Sequence, residues 1–172
     1  MKTKIYLIFL LLLLSLSLLS CSDQRTLIIP SSSSTSYGEI YNKLDSGFEI
    51  IDLVTPDMYV QVTNLTLGSL NSFTSTNGNL TATNKGYYKV SVSSSVYATS
   101  VGGQYSMKLY NNEIGLNNCY DSNDLSGTHT PMGFNCIVYM NTGDSLSVRF
   151  DDHSNPVRDV VVTSMNLNTV LI

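Results

Sequence analysis

Two histidines lie among the residues whose chemistry could support catalysis, and each stands in a turn-rich stretch. His129 occurs in "GTHTP" and His153 in "DDHSNP". A Ser-His-Asp hydrolase needs a nucleophile, a base and an orienting acid brought together in space. Serine is so abundant here that one serine near a histidine carries no information. The chain also contains no GxSxG, HExxH or phosphate-cradling glycine motif. We therefore predict that this protein is not an enzyme.

The stretch "DDHSNPVRD" offers the oxygen ligands best suited to a metal ion. Asp151, Asp152 and Asn155 lie within five residues, and Ca²⁺ takes six to eight oxygen ligands. The stretch lacks the DxDxDG spacing of a dedicated calcium loop, and clusters of Asp, Asn and Pro also form ordinary turns. We expect a turn, with calcium binding as the alternative, and predict no other cofactor. The acidic loop from Asp121 to Asp124 leads to the same expectation.

Two cysteines in the second half of the chain favour a disulfide. Cys119 and Cys136 flank a turn-rich loop, so we expect their strands to lie side by side and antiparallel. An exported domain with two cysteines favours a bridge, and the alternative is two buried thiols that act as small apolar residues. Two sulfurs without a histidine at ligand spacing disfavour a zinc site.

The N-terminal segment has the features of an export signal. A basic tip precedes an apolar run that is shorter than the ~20 residues of a spanning helix. The following "LLSC" resembles a bacterial lipobox, which implies cleavage after residue 20 and lipidation of Cys21. The alternatives are an ordinary signal peptide and a retained anchor. A lipobox implies a protein held on the cell envelope, at the outer membrane or cell surface. Because a lipobox indicates a bacterial protein, the "NLT" sequences at Asn64 and Asn79 are not expected to be glycosylated.

The charge balance excludes one class of partner. Of the 9 basic residues, Lys2 and Lys4 lie in the leader, so 7 remain against 13 acidic residues, a net charge of −6. Nucleic acids and anionic lipid surfaces both need a basic protein surface. Any attachment to a membrane would therefore depend on the lipid predicted at Cys21.

Composition divides the rest of the chain into a tether and one domain. Residues 21–36 combine a proline with a run of serines, which predicts a flexible spacer. Residues 37–172 have the length of a single domain. Across the chain, Ser, Thr and Asn make up about a third of the residues while charged residues are only 13%. Hydroxyl and amide groups must therefore make the surface polar.

Period-two alternation predicts an all-β fold. The segment "GYYKVSVSSSVYA" at 86–98 places Tyr88 and the valines on one face, and Tyr87 and Tyr97 on the other. The segment "QYSMKLYNNEI" repeats the pattern, with Tyr105, Met107 and Leu109 predicted to face inward. Asn111-Asn112 is predicted to form a hairpin turn. In "FNCIVYMNTGDSLSVRF", the alternating residues from Cys136 to Met140 are predicted to pair with those from Leu146 to Phe150 across "NTGD". We expect a sandwich of two antiparallel sheets with about eight to ten strands.

These strands resemble the tumour necrosis factor and complement globular-head superfamily, in its bacterial or phage-borne form. Gly86 and Tyr88 match the glycine and aromatic of one family motif, and Gly143 and Asp144 match its Asn-x-Gly-Asp turn. The resemblance extends over residues 37–172. The closing strand lacks the Phe-Ser-Gly-Phe pattern of animal members, so their receptor sites are not transferred.

The resemblance implies a ten-stranded jelly roll that packs as a homotrimer and binds partners without catalysis. Some relatives hold calcium at the trimer apex. A trimer needs a sheet with an apolar or aromatic outer face, for which Tyr87, Tyr97 and Tyr139 are the candidates. Two functions remain open: a surface-displayed recognition or adhesion module for a glycan or protein ligand, and a structural module of the coat or virion type, whose assembly is its main activity.

Overall fold

All regular elements in the described part of the chain are β-strands. The computed structural model describes residues 35–42, 48–100, 102–154 and 156–172. In chain order the strands are β1 (Tyr37–Asn42), β2 (Glu49–Ile51), β3 (Val60–Gln61), β4 (Thr66–Asn71), β5 (Phe73–Thr76), β6 (Asn79–Ala82), β7 (Gly86–Ala98), β8 (Gly103–Asn111), β9 (Ile114–Leu125), β10 (Thr130–Met140), β11 (Ser145–Asp152) and β12 (Val160–Leu171). Within these ranges we find no helix with the length and apolarity of a transmembrane span.

The strands form two antiparallel six-stranded sheets. Sheet A has the order β10-β7-β12-β1-β4, with β2 also paired to β12, and sheet B has the order β5-β6-β11-β8-β9, with β3 also paired to β11. The predicted two-sheet sandwich is confirmed. The structure has more strands than the eight to ten expected. The extra ones include β2 and β3, which are only three and two residues long. Segments of that length are too short for alternation to be visible in a sequence.

The core lies between the sheets and follows the predicted alternation. On β7, Tyr88, Val90 and Val96 have no exposed surface. The Tyr88 hydroxyl donates a hydrogen bond to the Asn84 carbonyl at 2.8 Å, and its ring packs edge-on against Phe73 with 5.2 Å between centroids. A buried tyrosine therefore keeps a partner for its polar end.

The β8–β9 hairpin turns one residue later than predicted. Asn111 pairs with Leu146 on β11 and with Ile114 on β9, so it belongs to the strand. The two-residue loop is Asn112-Glu113, with φ angles of 47° and 67°. Positive φ at both central residues is the geometry that matches strand twist in a tight hairpin.

The "NTGD" turn connects the two sheets, so the predicted pairing across it is wrong. Strand β10 belongs to sheet A and β11 to sheet B. The apolar residues of both strands still point inward, but they meet through the core. A period-two pattern gives the buried face of a strand and not its neighbour.

Side-chain hydrogen bonds hold this turn. Gly143 has a φ of 92°, and its amide donates to the Ala82 carbonyl at 2.8 Å. The Asp144 carboxylate accepts from the Asn141 amide and from Asn112 Nδ2, both at 2.7 Å. The Asn141 amide is the main cause that lowers the pKa of Asp144. The two family-motif residues at this turn therefore have structural roles.

The predicted disulfide is present, but it joins the two sheets. Cys119 on β9 and Cys136 on β10 are bonded, with 5.5 Å between their Cα atoms. Strand β9 lies in sheet B and β10 in sheet A, so the expectation that the two strands pair antiparallel is wrong. The bridge closes one side of the sandwich.

Ser36, assigned from the sequence to the tether, packs with the domain. It has no exposed surface, its carbonyl accepts from the Leu171 amide at 2.8 Å and its hydroxyl accepts from Asn84 Nδ2 at 2.9 Å. The rest of the tether up to residue 34, the leader and Cys21 lie outside the described residues.

Candidate functional site

The outer face of sheet B brings His153 together with residues distant from it in sequence. Its Nδ1 lies 2.7 Å from Asp57 Oδ1 and 3.3 Å from Asp151 Oδ2. Its Nε2 lies 2.7 Å from the hydroxyl of Ser106. The imidazole therefore stands between two carboxylates on one side and a serine on the other.

Backbone contacts fix these four residues. Ser106 and Asp151 are opposite each other in the β8–β11 ladder, so their side chains share one face of the sheet. The His153 amide donates to the Gln104 carbonyl at 2.9 Å. Asp57 has a φ of 61°, a left-handed conformation that Asp tolerates better than most residues. The arrangement thus depends on the sheet and on one tight turn.

Asp151 is the unusual member of this cluster. It has no exposed surface, and neither carboxylate oxygen has a hydrogen-bond partner among the residues that the structure describes. Burial raises the pKa of Asp151; the charges of Asp57 and Asp152 add to this rise, while His153 and the backbone amide of Asp152 oppose it. A buried carboxylate is costly unless it faces a positive group, and His153 is the group nearest to it.

Of the three calcium candidates, Asp151 and Asp152 do not share one site. The Asp152 carboxylate accepts hydrogen bonds from the amides of Ser154 and Arg158, both at 2.8 Å. It stabilises a turn, whereas Asp151, its neighbour on β11, contacts His153 instead. Asn155 lies outside the described residues. The expectation of a loop at Asp121–Asp124 is wrong, because these residues lie within β9. The Asp121 carboxylate accepts hydrogen bonds from the Ser122 and Gly133 amides, both at 2.9 Å, which is also a structural role.

The contacts among Ser106, His153 and Asp57 have the hydrogen-bond lengths of a hydrolase triad, but other features oppose nucleophilic catalysis. Ser106 is only 4% exposed and donates its proton towards Ser122 at 3.3 Å. A nucleophile must instead reach a substrate and release its proton to the base. Strand β8 also has neighbours on both sides, so its backbone amides are used in the sheet and do not form an oxyanion hole.

Next to this cluster lies an aromatic groove of about 340 Å³. Its walls include Tyr59, Tyr120 and Lys108, and the Lys108 ammonium lies 4.8 Å from the centre of the Tyr59 ring. Beside it, the Arg149 guanidinium lies 4.3 Å from the centre of the Tyr110 ring. Aromatic faces with nearby cations can bind sugars or anionic groups by stacking and charge-assisted hydrogen bonds.

His129 is separate from this site and packs on sheet A. Its Nδ1 lies 3.2 Å from Thr163 Oγ1 and 3.4 Å from Ser95 Oγ. Its ring contacts Tyr97 edge-on, with 5.1 Å between centroids. These contacts explain why Tyr97, one of the predicted outward tyrosines, is only partly exposed.

The outer face of sheet A carries an exposed apolar surface at one end. The registers of β1, β7, β10 and β12 place its members in two adjacent rows, one of which also holds Lys89 between Val170 and Ile137. Each apolar member is at least 40% exposed. We call this set the apolar end; its members are Tyr37, Tyr87, Ile137, Tyr139, Val170 and Ile172. The Tyr87 and Tyr139 rings pack edge-on at 5.1 Å between centroids, so both predicted tyrosines are preorganised for contact.

The central part of the same face is polar. Next to the apolar end, β7 and β12 carry small hydroxyl and amide residues on this face, among them Ser93, Ser95 and Asn166, whereas Ile50 and Tyr97 lie further along. The small polar residues surround a hollow of about 480 Å³. Sheet A therefore presents an apolar surface at one end and, next to it, a surface able to form hydrogen bonds.

Comparison with known proteins identifies the class of fold. The chain is a TNF-like jelly roll, and solved structures match 80% of it. They include an Eiger TNF from S. frugiperda (13% identity, 92% of that chain, TM-score 0.57) and the globular domain of zebrafish complement 1qA protein (11%, 97%, 0.51). The PRD1 vertex protein is a third (10%, 97%, 0.51). No family model and no curated protein matches the sequence.

Sequence reasoning found His153 and Asp151 but missed Asp57 and Ser106. Asp57 lies in "TPDM", which has the composition of any turn, and it is 96 residues from His153. Ser106 is one of 25 serines. The register of β8 against β11 could have identified it, but that register is not visible in the sequence.

Proposed function

We propose that this chain is an exported, lipid-anchored recognition module that acts as a homotrimer through sheet A and has no catalytic activity. The apolar end is the observation that carries the proposal. Monomeric proteins rarely expose large contiguous apolar patches, and a ring of three copies would cover this one. The fold supports the choice of three, because the resemblance implies trimers that pack along a threefold axis.

Several features support an exported, ligand-binding role. The Cys119–Cys136 bridge favours an oxidising compartment, and lipidation at Cys21 would attach the domain to the cell envelope through the tether. Assembly through sheet A leaves the aromatic groove of sheet B free for a ligand. Its tyrosines and cations favour a glycan or an acidic protein surface.

The test of the trimer is the mass of the purified chain in solution, compared with the variant Ile137→Lys. Ile137 is 56% exposed, and burying this side chain contributes about 1–2 kcal/mol per subunit. We expect the wild type to have the mass of three chains, and the variant, with a charge in each copy of the interface, to be monomeric. The matched control is Ile114→Lys on sheet B, where the isoleucine is 69% exposed; it should remain a trimer. A monomeric wild type contradicts the proposal.

A structural assembly module is the second candidate function, favoured by the likeness to a phage vertex protein. A glycan array probed with the wild type separates the two functions. Binding that is lost on changing Tyr120→Ala, in the groove, supports recognition. Stable trimers without any ligand on the array favour assembly.

A further inference from the structure

We propose that Asp57, Asp151 and His153 form a binding site for a divalent transition metal ion such as Zn²⁺ on the outer face of sheet B. One atom from each residue lies within 4.8 Å of the other two. Carboxylate oxygen and imidazole nitrogen are common zinc ligands, and three protein ligands with one open position form a recurrent zinc geometry. The set offers too few oxygens for Ca²⁺.

The buried carboxylate is the independent observation that points to a cation. Asp151 has no exposed surface and no hydrogen-bond partner among the described residues, yet it faces His153 Nδ1 at 3.3 Å. Buried charges in proteins are paired or coordinate metals. A cation between these two groups and Asp57 would neutralise the carboxylate.

Hydrogen bonds determine which nitrogen of His153 can bind the metal. The Tyr105 carbonyl can only accept, so the Ser122 hydroxyl, 3.1 Å away, donates to it. Ser122 must then accept from Ser106, and Ser106, having used its proton, accepts from His153 Nε2. Nε2 therefore carries a hydrogen, and Nδ1 is the nitrogen available to a metal. A metal-bound histidine almost always donates its other N–H in this way.

The ligand spacing requires only a small adjustment. Ligand atoms around a tetrahedral zinc ion lie roughly 3.3 Å apart, given zinc–ligand bonds of about 2.0–2.1 Å. The distance from Nδ1 to Asp151 already has this value, whereas that to Asp57 is 2.7 Å. The Asp57 side chain is 78% exposed, so it can move outward without disturbing the core.

The test is calorimetric titration of the metal-stripped full chain with Zn²⁺, together with the visible absorption of bound Co²⁺. We expect one ion per chain in the wild type and a four-coordinate Co²⁺ spectrum. Asp57→Asn and His153→Gln should remove saturable binding, and Ser106→Ala should weaken it about tenfold through loss of the N–H acceptor. The controls Asp124→Asn and His129→Gln change the same residue types elsewhere and should leave the dissociation constant unchanged.

Two outcomes overturn the metal site: a wild type that shows no saturable binding, and variants Asp57→Asn and His153→Gln that bind as tightly as the wild type. Asp57 is exposed, so its variant folds even if changes at the buried Asp151 do not. Thermal unfolding without metal verifies the fold of each variant. The result is independent of trimer formation, because the ligands lie on sheet B and the apolar end on sheet A.

Discussion

Removal of the disulfide between the sheets provides a quantitative test of the fold. In the variant Cys119→Ala/Cys136→Ala the native strands remain, but the unfolded chain loses a cross-link between positions 17 residues apart. The chain-entropy model for a loop of this length gives a loss of about 3 kcal/mol in the free energy of unfolding. For a domain of this size such a loss lowers Tm by roughly 10 °C.

Urea unfolding followed by circular dichroism measures the effect. We expect a lower urea midpoint and a steeper dependence of the free energy of unfolding on urea concentration, because the unfolded state without the bridge exposes more surface. Wild type treated with a reductant is the control: it retains both sulfurs, so it separates the loss of the cross-link from the loss of packing at Cys119, which is fully buried. A change below about 1 kcal/mol in both samples would refute the reasoning, since the bridge would then not restrict the unfolded chain.

Two further predictions concern the "NTGD" turn and the lipid anchor. The lowered pKa of Asp144 contributes stability that is present above the unfolded carboxyl pKa and is lost as pH falls through the folded pKa. Acid titration of Tm should therefore show a steeper fall below about pH 4 in the wild type than in Asp144→Asn, and parallel curves would contradict this. Changing Cys21→Ala should move the protein from the membrane fraction to the soluble fraction, with Cys119→Ala as the control that stays in place; an unchanged distribution would refute lipidation.

Most of the long strands were predictable because each reports its own buried face, whereas β9, whose residues do not alternate in burial, was expected to contain a loop at Asp121–Asp124. Tyr88 and Val90 on β7, and Met107 on β8, occupy alternate positions, and each is fully buried. The presence of two cysteines, on either side of a turn-rich stretch in a domain expected to be exported, similarly indicated their bridge. These features depend on composition and on intervals within one segment, which a sequence contains.

Which strands pair, and which side chains meet, could not be predicted in the same way. The turn after Met140 looks like a hairpin, yet it leads from one sheet to the other. The cluster around His153 depends on the β8–β11 register and on the turn that carries Asp57. Both are consequences of packing between distant segments, so single-strand patterns contain no trace of them.

The contact between Asp121 and β10 has a consequence for aggregation between molecules. Strand β10 is at the border of sheet A, where backbone donors invite strand addition from another molecule. Pro131 has no amide hydrogen, and the Gly133 amide, two residues on and on the same side, is capped by the Asp121 carboxylate. Two successive docking points for a foreign strand are thus removed. Molecules at high local concentration would resist fibril-like aggregation along this border, and their encounters would be directed to the broad surface that includes Tyr139.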